Sequence, residues 1–142
     1  MTIAAITGST THEILTAQRS ESVGEVVARL AENRIGALPV VDGDTVVGIF
    51  SERDIVYGIA RHGSAFLAKT VGDVMTSPAI TVTGGTPILS ALSMMTKRRI
   101  RHLPVIENDR LTGFVSIGDL VKHRIEKIEA EAAAMRDYIS MS

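Results

Sequence analysis

The sequence predicts a mixed α/β (α+β) protein in which two β-α-β-β-α units, related by a pseudo-twofold axis, pack through their sheets and are followed by an extended C-terminal helix. Residues 35–41 (IGALPVV) return as residues 100–106 (IRHLPVI), and residues 48–54 (GIFSERD) return as residues 113–119 (GFVSIGD). Both offsets are 65 residues (100 − 35 = 65 and 113 − 48 = 65), so the copies align without a gap. A repeated unit of this length buries its apolar face poorly alone, which favours packing of the two copies on each other.

Each unit is expected to open with a short strand and a helix. In the first copy, residues 14–17 (ILTA) have the composition of a strand. Ser22 and Glu25 then have the spacing of a capping box, with Ser22 as the N-cap, and an apolar series at i, i+3, i+4 and i+7 follows. In the second copy, the helix is expected to begin with Thr86 as N-cap and Pro87 at the first helical position.

Each unit is expected to end with a β-hairpin and a second helix. Residues 37–41 and 46–50 predict two strands joined through an Asp-Gly turn, and the second copy turns at residues 107–110. A proline in each first strand indicates an edge strand or a strand end. Ser51 and Ser116 follow the hairpins and predict N-caps of helices that begin near residues 52 and 117.

The chain is divided into a first repeat at residues 1–66, a second repeat at residues 67–125 and a helical extension at residues 126–142. The last helix is predicted to reach about residue 139. Its apolar residues recur at spacings of 4, 3, 4, 3 and 4, which is a heptad seam. The seam consists of Val121, Ile125, Ile128, Ala132, Met135 and Ile139. This seam predicts a partner helix in a homodimer, and the alternative is a long helix that packs on its own domain.

The composition narrows the possible functions. Hydrophobic residues make up 45% of the 142 residues, and the net charge is −1. The absence of cysteine excludes disulfides, thiol nucleophiles and thiolate metal sites, and no histidine spacing typical of a metal site occurs. The near-neutral charge and the small aromatic content, three Phe and two Tyr, argue against a nucleic-acid-binding surface. We expect a cytoplasmic protein, because there is neither a membrane-length apolar run nor a signal segment.

A polar pair recurs at the start of the second helix of each unit. Ser51 and Ser116 precede helix starts, where free backbone N–H groups suit a phosphate or a hydroxyl-rich ligand. Asp54 and Asp119 follow three residues later, and a carboxylate at that point can accept two hydrogen bonds from a vicinal diol such as ribose. The structural alternative is that Ser and Asp only stabilise the first helical turn. No acid/base pair or activated nucleophile indicates an enzyme.

These motifs resemble the CBS domain, and over about residues 10 to 125 the chain resembles a tandem CBS pair, also called a Bateman module. The shared features are the L-P-V strand, the G-h-h-S-x-x-D turn (h, hydrophobic) and the DVMTSP segment at residues 73–78. The resemblance implies a regulatory module, not an enzyme, that binds AMP or another adenine nucleotide (ADP, ATP or NAD(H)) between its repeats and signals to an unknown protein target. The alternative is a dimeric interaction scaffold that requires no ligand.

The resemblance also implies one preferred site and a quasi-symmetric second site. In the preferred site, Ser116 and Asp119 would hold the ribose, Arg101 and His102 would hold phosphate, and Leu15, Ile35, Gly36 and Ala37 would wall the base. The second site would use Ser51, Asp54, Met75, Ile80 and Ile100, with Arg53 as a further phosphate contact. Because Gly36 and Ala37 stand where the second copy has Arg101 and His102, we expect the two sites to differ in occupancy.

Overall fold

The computed structural model describes residues 1–7 and 14–141, and it has the predicted α+β architecture with two small sheets and a long C-terminal helix. Its elements, in chain order, are α1 (Ala4–Thr7), β1 (Ala17–Gln18), α2 (Val23–Asn33), β2 (Ala37–Asp42), β3 (Thr45–Ser51), α3 (Glu52–His62), a 3-10 helix (Gly63–Ala68), α4 (Val71–Val74), α5 (Ile88–Arg98), β4 (His102–Glu107), β5 (Arg110–Ser116) and α6 (Ile117–Met141). The predicted hairpins and the predicted C-terminal helix are therefore confirmed.

The two hairpins have the same hydrogen-bonding register. Every antiparallel pair between β2 and β3 has a counterpart between β4 and β5 at an offset of 65 residues, and both hairpins carry a bulge at the same position. The strand β1 adds parallel to β2 through Ala17 and Val40, and Val82 makes the equivalent parallel bridge to Val105. The repeat in the sequence is thus a repeat in backbone geometry.

The helix starts follow the predictions in three places and differ in one. Ser22 caps α2, since its Oγ accepts a hydrogen bond from the Glu25 N–H at 3.3 Å, and α3 and α6 begin directly after Ser51 and Ser116. The predicted start of α5 is wrong by one residue, because Pro87 is its N-cap. The Thr86 hydroxyl instead accepts the Thr83 N–H at 3.1 Å and closes the turn before the helix.

Two strand predictions also need correction. The first strand lies at Ala17–Gln18 instead of residues 14–17. Pro39 lies inside β2, which is the middle strand of its sheet, so the expected edge or strand end is wrong there. Pro39 is paired with Ile49, whose N–H donates to the Thr76 carbonyl at 3.0 Å, so this pair makes no hydrogen bond within the hairpin. The missing N–H of proline therefore costs the hairpin nothing.

Each half of the molecule has its own apolar core. Each core also contains residues from the segment that precedes the other repeat. Ile3 is fully buried in the cluster of the second half, and its N–H donates to the Thr86 carbonyl at 2.9 Å. Phe66 and Val71, from the connection between the repeats, are buried in the cluster of the first half. This exchange of segments holds the two halves together.

A glycine in each hairpin permits these crossings. A Cβ on Gly48 would lie 2.6 Å from the Met75 Sδ and 2.8 Å from the Thr76 carbonyl oxygen, and a Cβ on Gly113 would lie 2.6 Å from the Thr7 Cγ2. Only glycine allows the crossing chain to approach the strand so closely. The halves meet along β3 and β5, and the clefts described below lie between them. Among the described residues, no helix has the length and apolar character that crossing a bilayer requires.

Candidate functional site

The larger cleft, which we call the first cleft, has a volume of about 500 Å³ and is lined by both halves of the molecule. It brings together seven of the residues predicted for the preferred site: Leu15, Ile35, Gly36, Ala37, His102, Ser116 and Asp119. The remaining lining residues are Ile6, Thr7, Ile14, Thr112, Gly113, Phe114 and Val115. The combination of apolar walls with three hydroxyl groups, one imidazole and one carboxylate is typical of a small-molecule site.

Ser116 and Asp119 form a reciprocal cap at the start of α6. The Ser116 N–H donates to the Asp119 Oδ2 at 2.9 Å, and the Asp119 N–H donates to the Ser116 Oγ at 3.1 Å. Within the described residues, the Asp119 Oδ1 accepts no hydrogen bond, and Asp119 is exposed at the edge of the cleft. The cap therefore orients the carboxylate while leaving one oxygen available to a ligand.

Asp54, at the equivalent place in the first repeat, has no such oxygen. Its Oδ2 accepts hydrogen bonds from the Ser51 N–H at 2.9 Å and from the Ser51 Oγ at 3.2 Å. Its Oδ1 accepts a hydrogen bond from the Thr76 Oγ1 at 2.9 Å. Asp54 does not line the second cleft, and neither does Met75, which packs against the apolar core of the first half. The two repeats are alike in backbone but differ in the hydrogen-bonding capacity of this carboxylate.

The second cleft has a volume of about 380 Å³ and is cationic. It is lined by Gly36, Ile49, Ser51, Glu52, Arg53, Thr76, Pro78, Ala79, Ile80, Arg99, Ile100, Arg101 and His102. Four of these, Ser51, Arg53, Ile80 and Ile100, were predicted for the second site. The Arg53 Nη1 donates to the Arg99 carbonyl at 3.4 Å, which holds the Arg53 side chain across the cleft. Three guanidinium groups against one carboxylate favour an anionic ligand.

Arg101 lies in this second cleft, whereas the sequence analysis assigned it to the first with Ser116 and Asp119. Arg101 directly precedes β4 and lines the second cleft together with Arg53, Arg99 and the Glu52 carboxylate.

His102 lines both clefts and forms part of the wall between them. Its ring stacks on Phe114 with a centroid separation of 5.3 Å and an interplanar angle of 12°. Burial lowers the pKa of His102 below its usual 6.5; the nearby Asp119 carboxylate opposes this shift and Arg101 reinforces it. At neutral pH the imidazole is therefore uncharged, and it can donate or accept a hydrogen bond without providing a fixed positive charge.

Some lining residues were not predicted from the sequence, although a signal for two of them was present. Thr112 and Phe114 precede Ser116 at intervals of two along β5, so they share the face that carries the predicted Ser116. Ile6 and Thr7 come from the N-terminal segment and had no comparable signal. In the described part of the chain, no three His, Cys, Asp or Glu side chains lie close enough to hold a metal ion.

Comparison with protein families gives a match over most of the chain. A family model described as "CBS domain" matches residues 3–61 and 71–126. A curated relative, "CBS domain-containing protein CBSX3, mitochondrial" of Arabidopsis thaliana, is 36% identical over 124 residues, which cover 84% of this chain and 60% of the relative. The chain thus spans less than two thirds of the length of that relative.

Solved structures of similar proteins share the fold over most of the chain. The CBS-domain protein ATU1752 from Agrobacterium tumefaciens is 35% identical with a TM-score of 0.82, covering 87% of this chain and 92% of that one. The CBS domain pair of protein MJ0100, in complex with 5′-methylthioadenosine and S-adenosyl-L-methionine, is 26% identical with a TM-score of 0.77, covering 89% of this chain and 98% of that one. CBSX2 in complex with AMP is 25% identical with a TM-score of 0.76, covering 88% and 96%.

Proposed function

The chain belongs to the CBS-domain family as a tandem pair, and on that premise we propose that it is a regulatory module that binds AMP or a related adenine nucleotide in its first cleft. One observation carries the proposal. Asp119 is oriented by its cap with Ser116 yet keeps one carboxylate oxygen available at the cleft, whereas both oxygens of Asp54 are engaged. A carboxylate in this state is suited to accept hydrogen bonds from ribose hydroxyl groups.

The rest of the first cleft supports the same ligand. Its volume of about 500 Å³ lies within the usual range for small-molecule pockets. Ile35, Gly36 and Ala37 present apolar surface and closely approachable backbone, against which a flat base can lie. Two solved relatives are complexes, one with AMP and the other with methylthioadenosine and S-adenosylmethionine, and all three ligands contain adenine joined to a ribose ring. The element they share is the ribose-bearing adenine base that this cleft would hold.

The second cleft would take the more highly charged ligands. Arg53, Arg99 and Arg101 can neutralise two or more phosphates, and the carboxylate that lines this cleft belongs to Glu52, since both oxygens of Asp54 are engaged elsewhere. We therefore expect ADP, ATP or NAD(H) to depend on these guanidinium groups and AMP to depend mainly on Asp119. Regulation requires that the bound and free states differ in their affinity for the unknown protein target.

Thermal unfolding of the full chain with AMP, ADP, ATP, NAD(H), S-adenosylmethionine and GMP tests the proposal. A ligand at a hundred times its Kd stabilises the folded state by about 2.7 kcal/mol. For a domain of this size, that corresponds to a rise in Tm of roughly 5–10 °C. GMP serves as the control for the base and should give a smaller shift. The absence of a shift with every adenine ligand at millimolar concentration would remove the proposal.

A second candidate function is a homodimeric interaction scaffold that needs no ligand, and the exposed apolar seam of α6 favours it. Val121, Ile125 and Ile128 are 41%, 49% and 48% exposed, although all are large and apolar. Ile128→Glu should convert the dimer to a monomer in sedimentation velocity, and Ala130→Glu, on the outer face of the same helix, should not. A monomeric wild-type chain would contradict this candidate.

The cytoplasmic location stays a prediction, since the Arabidopsis relative carries the word mitochondrial in its name.

A further inference from the structure

The C-terminal helix α6 exposes an apolar strip along its length. Seam residues Val121, Ile125, Ile128, Met135 and Ile139 have exposures between 41% and 63%, and Ala132 between them is also exposed. The helix has 25 residues, so at 1.5 Å per residue it is about 37 Å long. Only Leu120, in its first turn, is buried against the body of the protein. A strip of this shape fits a second helix with the same spacing.

The apolar residues by themselves do not select an orientation for that second helix. In a parallel pair, each seam residue meets its own copy. In an antiparallel pair, the seam is also complete, because positions 121 and 139, 125 and 135, and 128 and 132 are all centred on residue 130. The choice between the two arrangements therefore depends on the charged residues that flank the seam.

The flanking charges are complementary in a parallel pair. The residues on one side of the seam are Arg124 and Glu131, and those on the other side are Glu129 and Arg136. In a parallel coiled coil, a residue on the first side contacts the residue five positions further along on the partner helix. Arg124 then meets Glu129 of the second copy, and Glu131 meets Arg136. By symmetry each contact occurs twice, which makes four ion pairs of opposite charge.

In an antiparallel pair, the same residues meet like charges. Glu129 would face Glu129 of the second copy, and Glu131 would face Glu131. Lys122, Glu129 and Arg136 follow one another at intervals of seven residues on one side of the seam, and Lys122 would face Arg136 of the second copy. Like charges in direct contact across a helix pair are destabilising by amounts comparable to the gain from opposite charges. The order of the flanking charges therefore favours the parallel pair over the antiparallel pair.

We propose that α6 pairs with α6 of a second copy of this chain as a parallel two-stranded coiled coil. The inference rests on the self-association described above and does not depend on ligand binding. The small Ala132 at the middle of the seam lets two helices approach closely there. Glu131 also lies 3.9 Å from Lys127 in its own helix, but this is a long and exposed ion pair that contributes little and competes weakly. The parallel arrangement places the second repeats of both copies side by side.

Charge reversal at Arg136 should change the dimer Kd in opposite directions for the two orientations. In the parallel dimer, Arg136→Glu places two glutamates in contact twice, so the dimer Kd should rise roughly tenfold. In an antiparallel dimer, the same change would pair a glutamate with Lys122 and tighten the dimer. The double variant Glu131→Arg with Arg136→Glu restores opposite charges in the parallel dimer and keeps the net charge of the wild type. Sedimentation equilibrium of the full chain at low salt measures all three proteins.

Disulfide trapping gives an independent measurement, because the chain has no cysteine of its own. Met135→Cys should form a homodimeric disulfide in a glutathione buffer, since the two thiols are adjacent only in the parallel dimer. A mixture of Met135→Cys and Ile125→Cys reports the antiparallel alternative, in which residues 125 and 135 are adjacent and two copies of residue 135 are about 15 Å apart along the axis. Predominant 125–135 cross-links, tightening by Arg136→Glu, or a trimeric mass would overturn the parallel dimer. A monomeric mass would instead show that the self-association itself fails, without bearing on nucleotide binding.

Discussion

Removal of the Asp119 carboxylate tests the assignment of the ribose contact. In the first cleft, the Asp119 Oδ2 is occupied by the Ser116 N–H, so a ribose would bond mainly through Oδ1. A hydrogen bond to a charged group contributes about 1.5–3 kcal/mol. Because Asp119 is exposed, we expect the lower end of that range, which corresponds to roughly a tenfold change in Kd. Asp119→Ala should weaken AMP binding by this factor.

The comparison with 2′-deoxy-AMP separates a direct contact from a general loss of structure. The wild-type protein should bind AMP roughly tenfold more tightly than 2′-deoxy-AMP, and Asp119→Ala should bind both nucleotides equally, as measured by isothermal titration calorimetry. Asp54→Ala is the matched control. It removes an equivalent helix cap, and so lowers stability by about 1 kcal/mol, but it should preserve the preference for AMP. Persistence of that preference in Asp119→Ala would refute the ribose assignment.

Three further outcomes are expected. Arg101→Ala should weaken ADP and ATP roughly tenfold in calorimetry and leave adenosine unchanged, and an equal loss for adenosine would contradict the phosphate role. Because burial lowers the pKa of His102, the unfolded chain binds a proton more readily, so Tm should fall as the pH drops below about 6.5; His102→Gln should flatten this dependence, and an unchanged slope would speak against it. Gly58→Ala places a methyl group where it overlaps the Phe66 ring, so it should lower the free energy of unfolding in urea by about 1–3 kcal/mol. Gly85→Ala has room for the methyl group and should leave that free energy nearly unchanged.

Local sequence patterns predicted the elements that depend on neighbouring residues. The hairpins follow from β-rich runs around turn residues, and the starts of α3 and α6 follow from Ser51 and Ser116. The prediction failed where two local signals competed, as at Thr86, whose hydroxyl bonds to the preceding turn and leaves Pro87 as the N-cap. It also failed at Pro39. The strand β1 is so short that it pairs only with Val40 and Val41 of β2, and it does not require the missing N–H of Pro39.

The candidate site was predicted in composition but not in its division between the clefts. Six residues expected around the ribose and base line the first cleft, and so does His102, which was expected to contact phosphate. Arg101 lies in the other cleft with Arg53, and this could not be predicted from its position beside His102. The cleft that a residue at a strand entry lines depends on how the two repeats pack against each other, and the neighbouring residues in the sequence do not encode that packing.

The amino-acid sequence alone determined that the protein is built twice on one plan, since residues 65 apart meet the same backbone hydrogen-bonding requirements and therefore fold alike. Only the tertiary structure decided that the two copies are chemically unequal. Thr76 crosses from the connection between the repeats and occupies the second oxygen of Asp54, whereas Asp119 keeps its own oxygen available. The physical reason is that a side chain's hydrogen-bonding capacity is set by whatever the fold brings next to it, and no local pattern encodes a neighbour 22 residues away.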